Sequence, residues 1–386
     1  MKKKVAIVVC AWPPGGGGIG NTAYLHAKFL QSDKYQVTAF IPKYHDTREL
    51  QTQDYDYEYL PVAFELGKAG IMRGLYGRLI CYDIIHLYYP FFGTDLVVYL
   101  LKLLHPEKKV ILHHQMDPIG DGLKKIIFRL YMATIFPLQL SLSDKIIALS
   151  ADHAEHSYLT PYYLRHREKF FIVPNMVDTD KFRPQAKNEQ LLASLGLRPE
   201  NQVLMFAGGL DSHHYFKGVD LIINSFASLR QKYPTLKLLI VGDGNWKSRY
   251  ERQASELGIR SEVIFPGWVP NEDLPQYYNL ADVFLLPSTD STEAFGGVAA
   301  EAQCCGVPAV ISNWPGSRVT IENNATGLWV EPKNQQDLSK KIDTLLSDDE
   351  LRAAMGRAAA ERAQSMYGAR EQVGVRLVEM YDNLYK

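Results

Sequence analysis

The sequence predicts an α/β protein of two domains that face each other across a cleft, and three observations carry this prediction. Short β-branched runs alternate with longer segments of helical periodicity along the chain. The length of 386 residues fits two domains better than one core. A polar stretch containing Pro184 and Pro199 interrupts the alternation near the middle. Strands that alternate with helices require parallel sheets covered on both faces.

The individual elements follow from the same alternation. In the first half the pattern predicts strands at 5–9, 36–41, 84–87, 109–112, 145–149 and 169–173, with helices at 22–30 and 94–104. In the second half it predicts strands at 203–207, 237–241, 262–265, 283–286 and 309–311, with helices at 219–233, 248–257, 273–278, 297–305 and 338–346. The first domain is therefore predicted at 1–183, a linker at 184–199 and the second domain at 200–368.

Composition excludes several classes of protein. A hydrophobic fraction of 46% and a charged fraction of 22% are typical of soluble globular chains. The net charge of -1 provides no general attraction for nucleic acid. The four cysteines show no C-x-x-C spacing, which favours free thiols and the cytoplasm.

Neither the N-terminal segment nor the longest apolar stretch is predicted to insert into a membrane. The first residues resemble a signal peptide, but Pro13, Pro14 and four glycines follow where cleavage would occur. The longest apolar stretch, 126–142, contains Arg129 and Pro137 and falls short of the roughly 20 residues that span a bilayer. We therefore predict no transmembrane helix.

Open α/β sheets bind ligands beyond the carboxyl ends of their strands, so the loops after strands are the candidate sites. The first is the glycine-rich run 13–20, which includes Gly18 and precedes a helix expected to open near Asn21. Glycines there would let backbone amides approach a phosphate at a helix N-terminus. The run lacks dinucleotide-binding spacing and a Walker lysine, so a turn that binds nothing remains the alternative.

A second candidate is the segment after the strand at 109–112. His113, His114 and Asp117 are side chains that accept protons or hold sugar hydroxyls near neutral pH. Two adjacent histidines do not supply the three or four converging ligands of a metal site, so we predict none. A solvated loop without a role is the alternative.

A third candidate follows the first strand of the second domain. Gly208 and Gly209 free the backbone, and Lys217 precedes the next helix, where it can meet a diphosphate. His213 and His214 lie between them. A surface lysine that is merely solvated is the alternative.

The fourth candidate, 293–301, follows the buried-strand pattern at 283–286. A helix is expected to begin near Phe295 or Gly296, which would aim the amides of Phe295, Gly296, Gly297 and Val298 at an anion. Glu293 precedes these amides, and Glu301 lies about 9 Å further along the helix axis. Two carboxylates that flank a diphosphate could accept hydrogen bonds from a sugar and a ribose. Alternatively, Glu293 favours the helix dipole and Glu301 lies on a solvated face.

Over nearly its whole length the chain resembles the retaining glycosyltransferases of family 4, whose GT-B architecture has two Rossmann-like domains. The most specific match is the motif of two glutamates separated by seven residues, here Glu293 and Glu301 with Phe295-Gly296 after the first. Further matches are 241–244, 265–267, 281–287 and 306–310. In this architecture the last helix crosses back to the first domain, so residues 369–386 are expected to pack there.

The resemblance implies a role for each matching position. Glu293 would contact the donor sugar, Glu301 the ribose and Lys217 the diphosphate, while the first domain would take the acceptor. The glycine run around Gly18 would lie between the domains. The remaining donor-binding positions that it implies are Gly208, Gly209, Gly242, Asp243 and Val269.

Two positions depart from the family pattern. Family members usually pair the lysine with an arginine, and that position is Gly209 here, so one positive charge on the diphosphate is missing. His213, His214 or a cation of the first domain could substitute for it. A glutamate that often follows the glycine-rich run is replaced by Asn21-Thr22.

The resemblance also implies retention of configuration and neither metal nor cofactor. The donor would be a UDP- or GDP-sugar, and the acceptor a glycan, a lipid-linked sugar or a small molecule. A catalytically silent sugar-nucleotide-binding subunit and a GT-B epimerase remain alternatives. Base, sugar, acceptor, linkage and oligomeric state are not determined by the sequence.

Membrane contact is a separate hypothesis from two segments. Lys68, Arg73 and Arg78 are interleaved with apolar residues, and so are Lys124 and Lys125. Such patterns are typical of interfacial helices that hold an enzyme at the inner face of the membrane. They are also typical of amphipathic helices that face a core.

Overall fold

A computed structural model describes residues 2–13, 17–44, 55–66, 69–120, 122–368 and 372–385. The chain divides into two compact units: Met1–Met176 with Ala369–Lys386, and Val177–Gly368. Each unit is an α/β domain around one sheet.

The first unit contains eight strands and seven helices among its described residues. The strands are β1 (Lys3–Val8), β2 (Tyr35–Lys43), β3 (Asp56–Leu66), β4 (Ala69–Met72), β5 (Ile84–Tyr89), β6 (Lys109–His114), β7 (Lys145–Ala148) and β8 (Phe170–Ile172). The helices are α1 (Gly17–Leu30), α2 (Leu75–Leu79), α3 (Thr94–Leu104), α4 (Gly122–Leu142), α5 (Ala151–Glu155), α6 (Thr160–Tyr163) and, near the C-terminus, α14 (Gly374–Asp382).

The second unit contains six strands and seven helices. The strands are β9 (Val203–Ala207), β10 (Lys237–Val241), β11 (Val263–Gly267), β12 (Val283–Leu286), β13 (Ala309–Ser312) and β14 (Gly327–Val330). The helices are α7 (Glu189–Ser194), α8 (Val219–Leu229), α9 (Lys247–Glu256), α10 (Leu274–Tyr278), α11 (Gly297–Cys304), α12 (Gln335–Leu346) and α13 (Asp349–Tyr367). Short 3-10 helices include Ser212–Lys217.

Both sheets have a doubly wound strand order. Strands are added toward one edge of the sheet first and then, from the middle, toward the other edge. The first sheet runs β4-β3-β2-β1-β5-β6-β7-β8 and is parallel except where β3 pairs with β4. The second runs β11-β10-β9-β12-β13-β14 and is parallel throughout. The predicted parallel α/β class is therefore confirmed for both halves of the chain. Ligands in such sheets bind where the strand order reverses, between β1 and β5 or between β9 and β12.

The first sheet is covered on both faces because successive strand residues point to opposite sides. Val5 and Ile7 pack with α1 and α14, whereas Ala6 and Val8 belong to the cluster on the other face. Buried strands need apolar residues at every position, which is why these runs show no alternation of polar residues.

The domain boundary differs from the prediction. The second unit begins at Val177, and the predicted linker 184–199 is part of it. The side chain of Asn279, which is 8% exposed, accepts a hydrogen bond from the Gln185 amide at 2.7 Å and donates one to the Arg183 carbonyl at 3.1 Å. This polar, proline-containing segment is thus fixed by hydrogen bonds together with the buried side chains of Leu192 and Leu197, which its composition does not reveal.

The prediction of an interfacial helix around Arg73 and Arg78 is wrong. Ala69–Met72 forms the short antiparallel strand β4, and only five residues form α2. Arg78 donates to Glu58 at 2.7 Å, so its charge serves an ion pair on the surface of this unit. Lys68 lies outside the described residues.

Helix α4 has two apolar faces. By length and composition it could cross a membrane, yet its Met132, Phe136, Gln139 and Leu140 are buried in the first unit. The apolar stretch predicted to be too short for a span is thus longer in the structure, because the helix begins at Gly122 and includes Pro137.

Candidate functional site

The candidate site of the second unit lies at the carboxyl ends of β9 and β12. These strands are neighbours at the point where the strand order reverses, with Phe284 paired to Met205. The segment after β9 carries Lys217, and the segment after β12 carries Glu293. The topology therefore brings together two charged residues that are 76 positions apart in the chain.

Lys217 and Glu293 form a direct ion pair beside the start of a helix. Lys217 Nζ donates to Glu293 Oε2 at 2.8 Å, and the backbone N–H of Gly296 donates to Glu293 Oε1 at 3.1 Å. Both charged side chains are only 12% exposed. Such charge-assisted hydrogen bonds are strong, so the pair holds the carboxylate and the ammonium in fixed positions.

The two loops that carry the ion pair pack closely against each other, and a glycine permits this close approach. Gly218 has φ +72°, and a Cβ there would lie 2.3 Å from the Pro287 carbonyl oxygen. The backbone N–H of Thr289 donates to the Phe216 carbonyl at 2.6 Å. A side chain at Gly218 would force the loops apart, so this glycine sets the distance between Lys217 and the β12 loop.

Helix α11 begins at this loop. Gly296, at φ +77°, is its N-cap, so the amides of Gly297 and Val298 occupy the first turn, where no intrahelical acceptor exists. Helix N-termini with free amides favour anions. The Gly296 amide differs from the expectation, because Glu293 already accepts from it. Phe295 is buried against Tyr367, so its side chain supports the helix from the core.

Glu301 lies on α11, one turn inside the helix. Tyr278 donates a hydrogen bond to its Oε2 at 2.8 Å. Burial raises the pKa of Glu301 to about 7, although the Tyr278 hydrogen bond and the Lys217 charge lower it in part. This carboxyl group is therefore neutral in a large fraction of molecules at pH 7, unlike an exposed glutamate.

The glycines around the site keep the chain close to itself. A Cβ on Gly242 would lie 1.9 Å from the Gly208 carbonyl oxygen, and one on Gly208 would lie 3.0 Å from Lys217 Cδ. These two predicted donor-binding positions thus pack the β9 and β10 ends together beside the lysine stem. Asp243 is exposed and accepts from the Gly244 amide at 2.8 Å, whereas Val269 is buried.

His214 fills the position where an arginine would extend. A Cβ on Gly209 would lie 2.5 Å from His214 Nδ1. The same ring nitrogen pairs with Asp211 Oδ2 at 2.8 Å. Burial favours a raised pKa at Asp211, but hydrogen bonds from His214 and the His213 amide and their charges outweigh it and lower the pKa. The imidazole is thus held over Gly209 by an ionised carboxylate.

The glycine-rich run of the first unit begins its helix earlier than predicted. Helix α1 starts at Gly17, so Gly18 lies in its first turn and is exposed, while residues 14–16 lie outside the described residues. A Cβ on Gly20 would lie 2.9 Å from the Ala11 carbonyl oxygen. Gly20 therefore permits the close approach of α1 to the chain leaving β1, and Gly18 meets no atom within 4 Å of such a Cβ.

His113 and His114 lie at the carboxyl end of a strand, as predicted, but inside it rather than after it, because β6 extends two residues beyond the predicted 109–112. Strand β6 continues through both residues, and their side chains point to opposite faces of the sheet. Both imidazoles are fully buried, so neither is presented to an acceptor in this structure. Asp117, 18% exposed, lies 3.2 Å from His114 Nε2 and accepts from the Tyr158 amide at 3.1 Å.

His113 belongs to a buried network with His26 and His86. His86 Nε2 lies 3.2 Å from His113 Nδ1, His86 Nδ1 bonds the Tyr381 hydroxyl at 2.8 Å, and His26 Nδ1 bonds the Tyr88 hydroxyl at 2.6 Å. Burial lowers the pKa of His26 to about 3 and holds the pKa of His86 and of His113 well below the ordinary value, with neighbouring imidazoles adding to the effect for the last two. The three rings are therefore neutral.

One nitrogen from each of these three rings lies within 4.8 Å of the others, which is a spacing a metal ion could bridge. The group includes no carboxylate among the described residues. The facing nitrogens of His86 and His113 already form a hydrogen bond at 3.2 Å, which a metal ion would have to displace. The network is better explained as a hydrogen-bonded core that joins β5, β6, α1 and α14.

Two functional neighbours escaped prediction. Tyr278 holds Glu301, and Asp211 holds His214 over Gly209. Tyr278 lies on α10, 23 residues before its partner, and no spacing rule links the two. Only the backbone role of Asp211 could have been found, because an Asp after a strand is typical of a turn in which its side chain accepts from the amide two residues on, here His213 at 2.8 Å.

The chain matches two family profiles that together span most of it. The profile described as "Glycosyl transferases group 1" matches residues 187–362, and the one described as "Glycosyltransferase Family 4" matches residues 16–181.

Curated relatives and solved structures agree with these profiles. A D-inositol 3-phosphate glycosyltransferase of Corynebacterium urealyticum is 30% identical over 319 residues, which are 78% of this chain and 72% of that protein. A GDP-mannose-dependent alpha-(1-6)-phosphatidylinositol monomannoside mannosyltransferase of Mycolicibacterium smegmatis is 32% identical over 216 residues, 54% of this chain and 55% of that protein. Several of the curated relatives are thus matched over only about half of their length. The structure of Anabaena Alr3699/HepE in complex with UDP superimposes with a TM-score of 0.76 at 18% identity, covering 98% of this chain and 99% of that one.

The two parallel-sheet domains thus define a protein of the GT-B fold, with charged residues gathered where the second sheet reverses its strand order. The chain belongs to family 4, the group 1 glycosyltransferases.

Proposed function

We propose that this chain is a retaining glycosyltransferase that moves a hexose from a UDP- or GDP-sugar to a hydroxyl of a glycan, a lipid-linked sugar or a small acceptor. The observation that carries the proposal is the arrangement of Lys217, Glu293 and the first turn of α11 at the switch point of the second sheet. An ammonium and free amides beside two carboxylates suit a ligand that combines a diphosphate with sugar hydroxyls.

Each part of the donor would meet a different group. The diphosphate would lie against Lys217 and the amides of Gly297 and Val298, the ribose against Glu301 and the sugar against Glu293. In the structure Lys217 is paired with Glu293 at 2.8 Å. We propose that the diphosphate competes for this ammonium, which frees one carboxylate oxygen for a sugar hydroxyl.

The proposed reaction replaces one bond at the anomeric carbon by another on the same face. The bond from that carbon to the diphosphate oxygen breaks, and the bond to the acceptor oxygen forms. The acceptor proton passes to the departing diphosphate. Lys217 and the helix amides stabilise the negative charge that develops on the leaving group, so neither a resident metal nor a cofactor is proposed.

The names of the relatives support a search among both donor bases. One relative is named as GDP-mannose-dependent and one solved structure holds UDP. The names also mention inositol 3-phosphate and a phosphatidylinositol monomannoside. We propose an acceptor from the phosphorylated or lipid-linked polyols and glycans. None of the four cysteines forms a disulfide, which supports a proposed cytoplasmic place of action.

A donor screen tests the proposal. Calorimetry with UDP-, GDP- and ADP-sugars would identify the base, and release of nucleoside diphosphate on adding acceptors would report transfer. We expect Lys217→Ala and Glu293→Ala each to lower turnover at least tenfold, because a charge-assisted contact contributes about 1.5–3 kcal/mol. Lys340→Ala, an exposed lysine of the same unit, is the matched control. Unchanged release in both site variants would show that the site is assigned wrongly.

A second candidate function is a sugar-nucleotide-binding subunit without activity. It is favoured by Gly209, where His214 occupies the space that the family's arginine would use. Tight donor binding without release of nucleoside diphosphate, across the acceptor panel, would support this candidate over the enzyme.

A further inference from the structure

Two side chains of opposite charge lie at the carboxyl ends of β10 and β11. Asp243 follows β10 by two residues, and Lys247 is the first residue of α9. Both side chains reach Gly267, the last residue of β11: a Cβ there would lie 3.7 Å from Asp243 Oδ2 and 3.7 Å from Lys247 Nζ. We call Asp243 and Lys247 the β10 pair.

Gly267 differs from the glycines that bring the neighbouring loops together. A Cβ on Gly242 would lie 1.9 Å from the Gly208 carbonyl oxygen, and one on Gly244 would lie 2.3 Å from the Leu210 carbonyl oxygen, so backbone packing requires both. Gly267, whose φ is +89°, meets no backbone in this way. Apart from its chain neighbours, only the two charged atoms come within 4 Å of its Cβ position among the described residues. A small space bounded by an ammonium and a carboxylate oxygen therefore lies over Gly267.

The contacts within the described chain leave both charges available. Asp243 Oδ1 accepts from the Gly244 amide at 2.8 Å, whereas Oδ2 has no partner there. Lys247 Nζ forms neither an ion pair nor a hydrogen bond with any described residue, although the residue is half-buried. An ammonium that loses hydration without gaining a partner is unfavourable.

Helix stability does not explain the lysine either. A cation at the first position of a helix opposes the helix dipole, and the first turn of α9 has no acidic residue that would offset it. The position of Lys247 thus weakens its own helix. A ligand that accepts a hydrogen bond from Nζ would account for it.

The β10 pair lies where the far end of a nucleotide would lie. The strand order β11-β10-β9-β12 places it two strand spacings, about 10 Å, from the strand ends that carry Lys217 and Glu293. Glu301, proposed to meet the ribose, is bonded to Tyr278 on α10, which follows β11. A donor with its diphosphate at Lys217 and its ribose at Glu301 would therefore extend its base toward Gly267.

Nucleobases present different groups to a carboxylate beside an ammonium. Guanine has two adjacent donors, N1–H and the exocyclic N2 amino group, and next to them the acceptor O6. Uracil has a single donor, N3–H, between two carbonyl oxygens, so a carboxylate that accepts from it is repelled on both sides. Adenine has one exocyclic amino group and no carbonyl oxygen. Guanine alone among these bases offers two donors to the carboxylate and a carbonyl oxygen to the ammonium.

We propose that the β10 pair selects guanine, so that the donor is a GDP-sugar. Asp243 Oδ2 accepts from N1–H and from the N2 amino group, and Lys247 Nζ donates to O6. This inference rests on the proposed function, because it assigns the base of the same donor. Lys247 is not among the positions that the family resemblance implies, so the assignment depends on a residue particular to this chain.

Calorimetry with nucleoside diphosphates tests the base without knowledge of the sugar. The probes are GDP, UDP, ADP and inosine diphosphate, which lacks only the N2 amino group of GDP. We expect GDP to bind at least tenfold more tightly than each of the others, because a charge-assisted hydrogen bond contributes about tenfold or more to affinity. Equal affinity for GDP and UDP, or for GDP and inosine diphosphate, would overturn the assignment.

Asp243→Asn changes the preference instead of only weakening it. The amide nitrogen donates where the carboxylate accepted, so it disfavours the N2 amino group and favours the carbonyl oxygen that xanthine carries at the same position. We expect the affinity for xanthosine diphosphate relative to GDP to rise at least about tenfold in this variant. A variant that is only destabilised loses both affinities together, so the ratio isolates the contact. An unchanged ratio would overturn the role of Asp243.

Lys247→Gln tests the ammonium against a lysine on the same strand. We expect GDP affinity to fall about tenfold and UDP affinity to change less than about twofold. Lys237→Gln is the matched control, because Lys237 is also half-buried and lies at the opposite, amino end of β10. It should leave both affinities unchanged. Equal loss of GDP affinity in the two variants would show that net charge acts and would overturn the role of Lys247.

Lys217→Ala keeps the test of the base distinct from the test of the proposed function. This variant should weaken GDP and UDP by the same factor, because both carry the diphosphate, and the preference for GDP should persist. A preference for UDP that still depends on Lys217 would count against guanine and leave the proposed function standing. Failure of every nucleoside diphosphate to bind would contradict both.

Discussion

The dipeptide His-His occurs once in each unit, and the two copies differ in secondary structure, burial and hydrogen-bond partners. His113 and His114 lie inside β6, fully buried on opposite faces of the sheet. His213 and His214 lie beyond the end of β9, where His214 is 42% exposed and paired with Asp211. Distance from the strand decides the difference, because His113 and His114 are the last two residues of β6, whereas His213 follows the last residue of β9 by six positions.

The two sheets have similar topology, but the ends of their strands carry opposite chemistry. The first holds a neutral network that burial keeps unprotonated, with His26 at a pKa of about 3. The second holds charges, Lys217 with Glu293 and Asp211 with His214, that a ligand can recruit. Proton-dependent stability is therefore expected of the first unit and ligand-dependent chemistry of the second.

The largest expected effect is acid destabilisation of the first unit. The folded-state pKa of His26, His86 and His113 is lowered, so the unfolded chain takes up these protons first. Their stabilising contribution is complete above about pH 6.5 and is lost as the pH falls toward the folded values. Each histidine should lower the free energy of unfolding by about 1.4 kcal/mol per pH unit below 6.5.

Hydrogen exchange followed by mass spectrometry at pH 7.5, 6 and 5, corrected for intrinsic rates, would report this on the β5 and β6 amides. The amides of β9 and β12 are the internal control. Protection of β5 and β6 that stays constant down to pH 5 would contradict the neutral buried network.

The next effect contrasts the two dipeptides directly. We expect His113→Ala to lower the free energy of unfolding of the first unit by about 3 kcal/mol, because it leaves a cavity and removes the partner of His86. We expect His214→Ala to change stability by less than about 0.5 kcal/mol, because that side chain is partly solvated. Denaturant titration of both variants measures the two changes in the free energy of unfolding. Equal destabilisation would contradict the difference in burial between the two histidines.

A smaller effect concerns Glu301, whose pKa is raised to about 7 by burial. If ribose hydroxyls donate to its ionised form, donor affinity should rise about tenfold between pH 6 and pH 8. The stability contribution has the opposite sign, because a raised pKa means that the folded chain holds the proton and is destabilised as the pH rises through 7.

Calorimetry of donor binding across this range is the measurement for Glu301. Glu301→Gln should give an affinity that no longer depends on pH in this window. The pH dependence would persist in Glu301→Gln if another group, such as His214, were responsible.

The smallest effect concerns the exposed dipeptide and the family's arginine. Gly209→Arg should weaken donor binding a few-fold, because the new Cβ would lie 2.5 Å from His214 Nδ1. Gly209→Arg/His214→Ala frees that space and adds a fixed charge, so donor affinity should exceed that of the natural chain by about tenfold. No gain in the double variant would show that Gly209 does not face the diphosphate.

Much of the fold could be predicted from sequence because most strands are continuous β-branched runs between turn residues. Strands β9, β10 and β12 begin and end where the pattern places them. Strands β3, β4 and β14 were not predicted: β3 carries charged and aromatic residues, and the short strands β4 and β14 each contain a glycine, a residue that is depleted in strands. The long helix α13 was missed because its alanine-rich sequence has weak amphipathic contrast.

For the candidate site, the residues could be predicted from sequence but their contacts could not. Lys217, Glu293 and Glu301 could be selected by residue type and by their place after strands. Their contacts could not, because Lys217 meets Glu293 only through the pairing of β9 with β12. The Tyr278 bond to Glu301 likewise depends on how α10 packs on α11.

Periodicity and local motifs are enough to predict the parallel α/β class, the family, and the residue types that can meet a sugar nucleotide. Tertiary structure alone decided which histidines are buried, how far β6 extends and which face of α4 remains in water. Those properties depend on atoms brought together from distant parts of the chain. Burial, which sets the pKa of His113 and of Glu301, is a property of that packing.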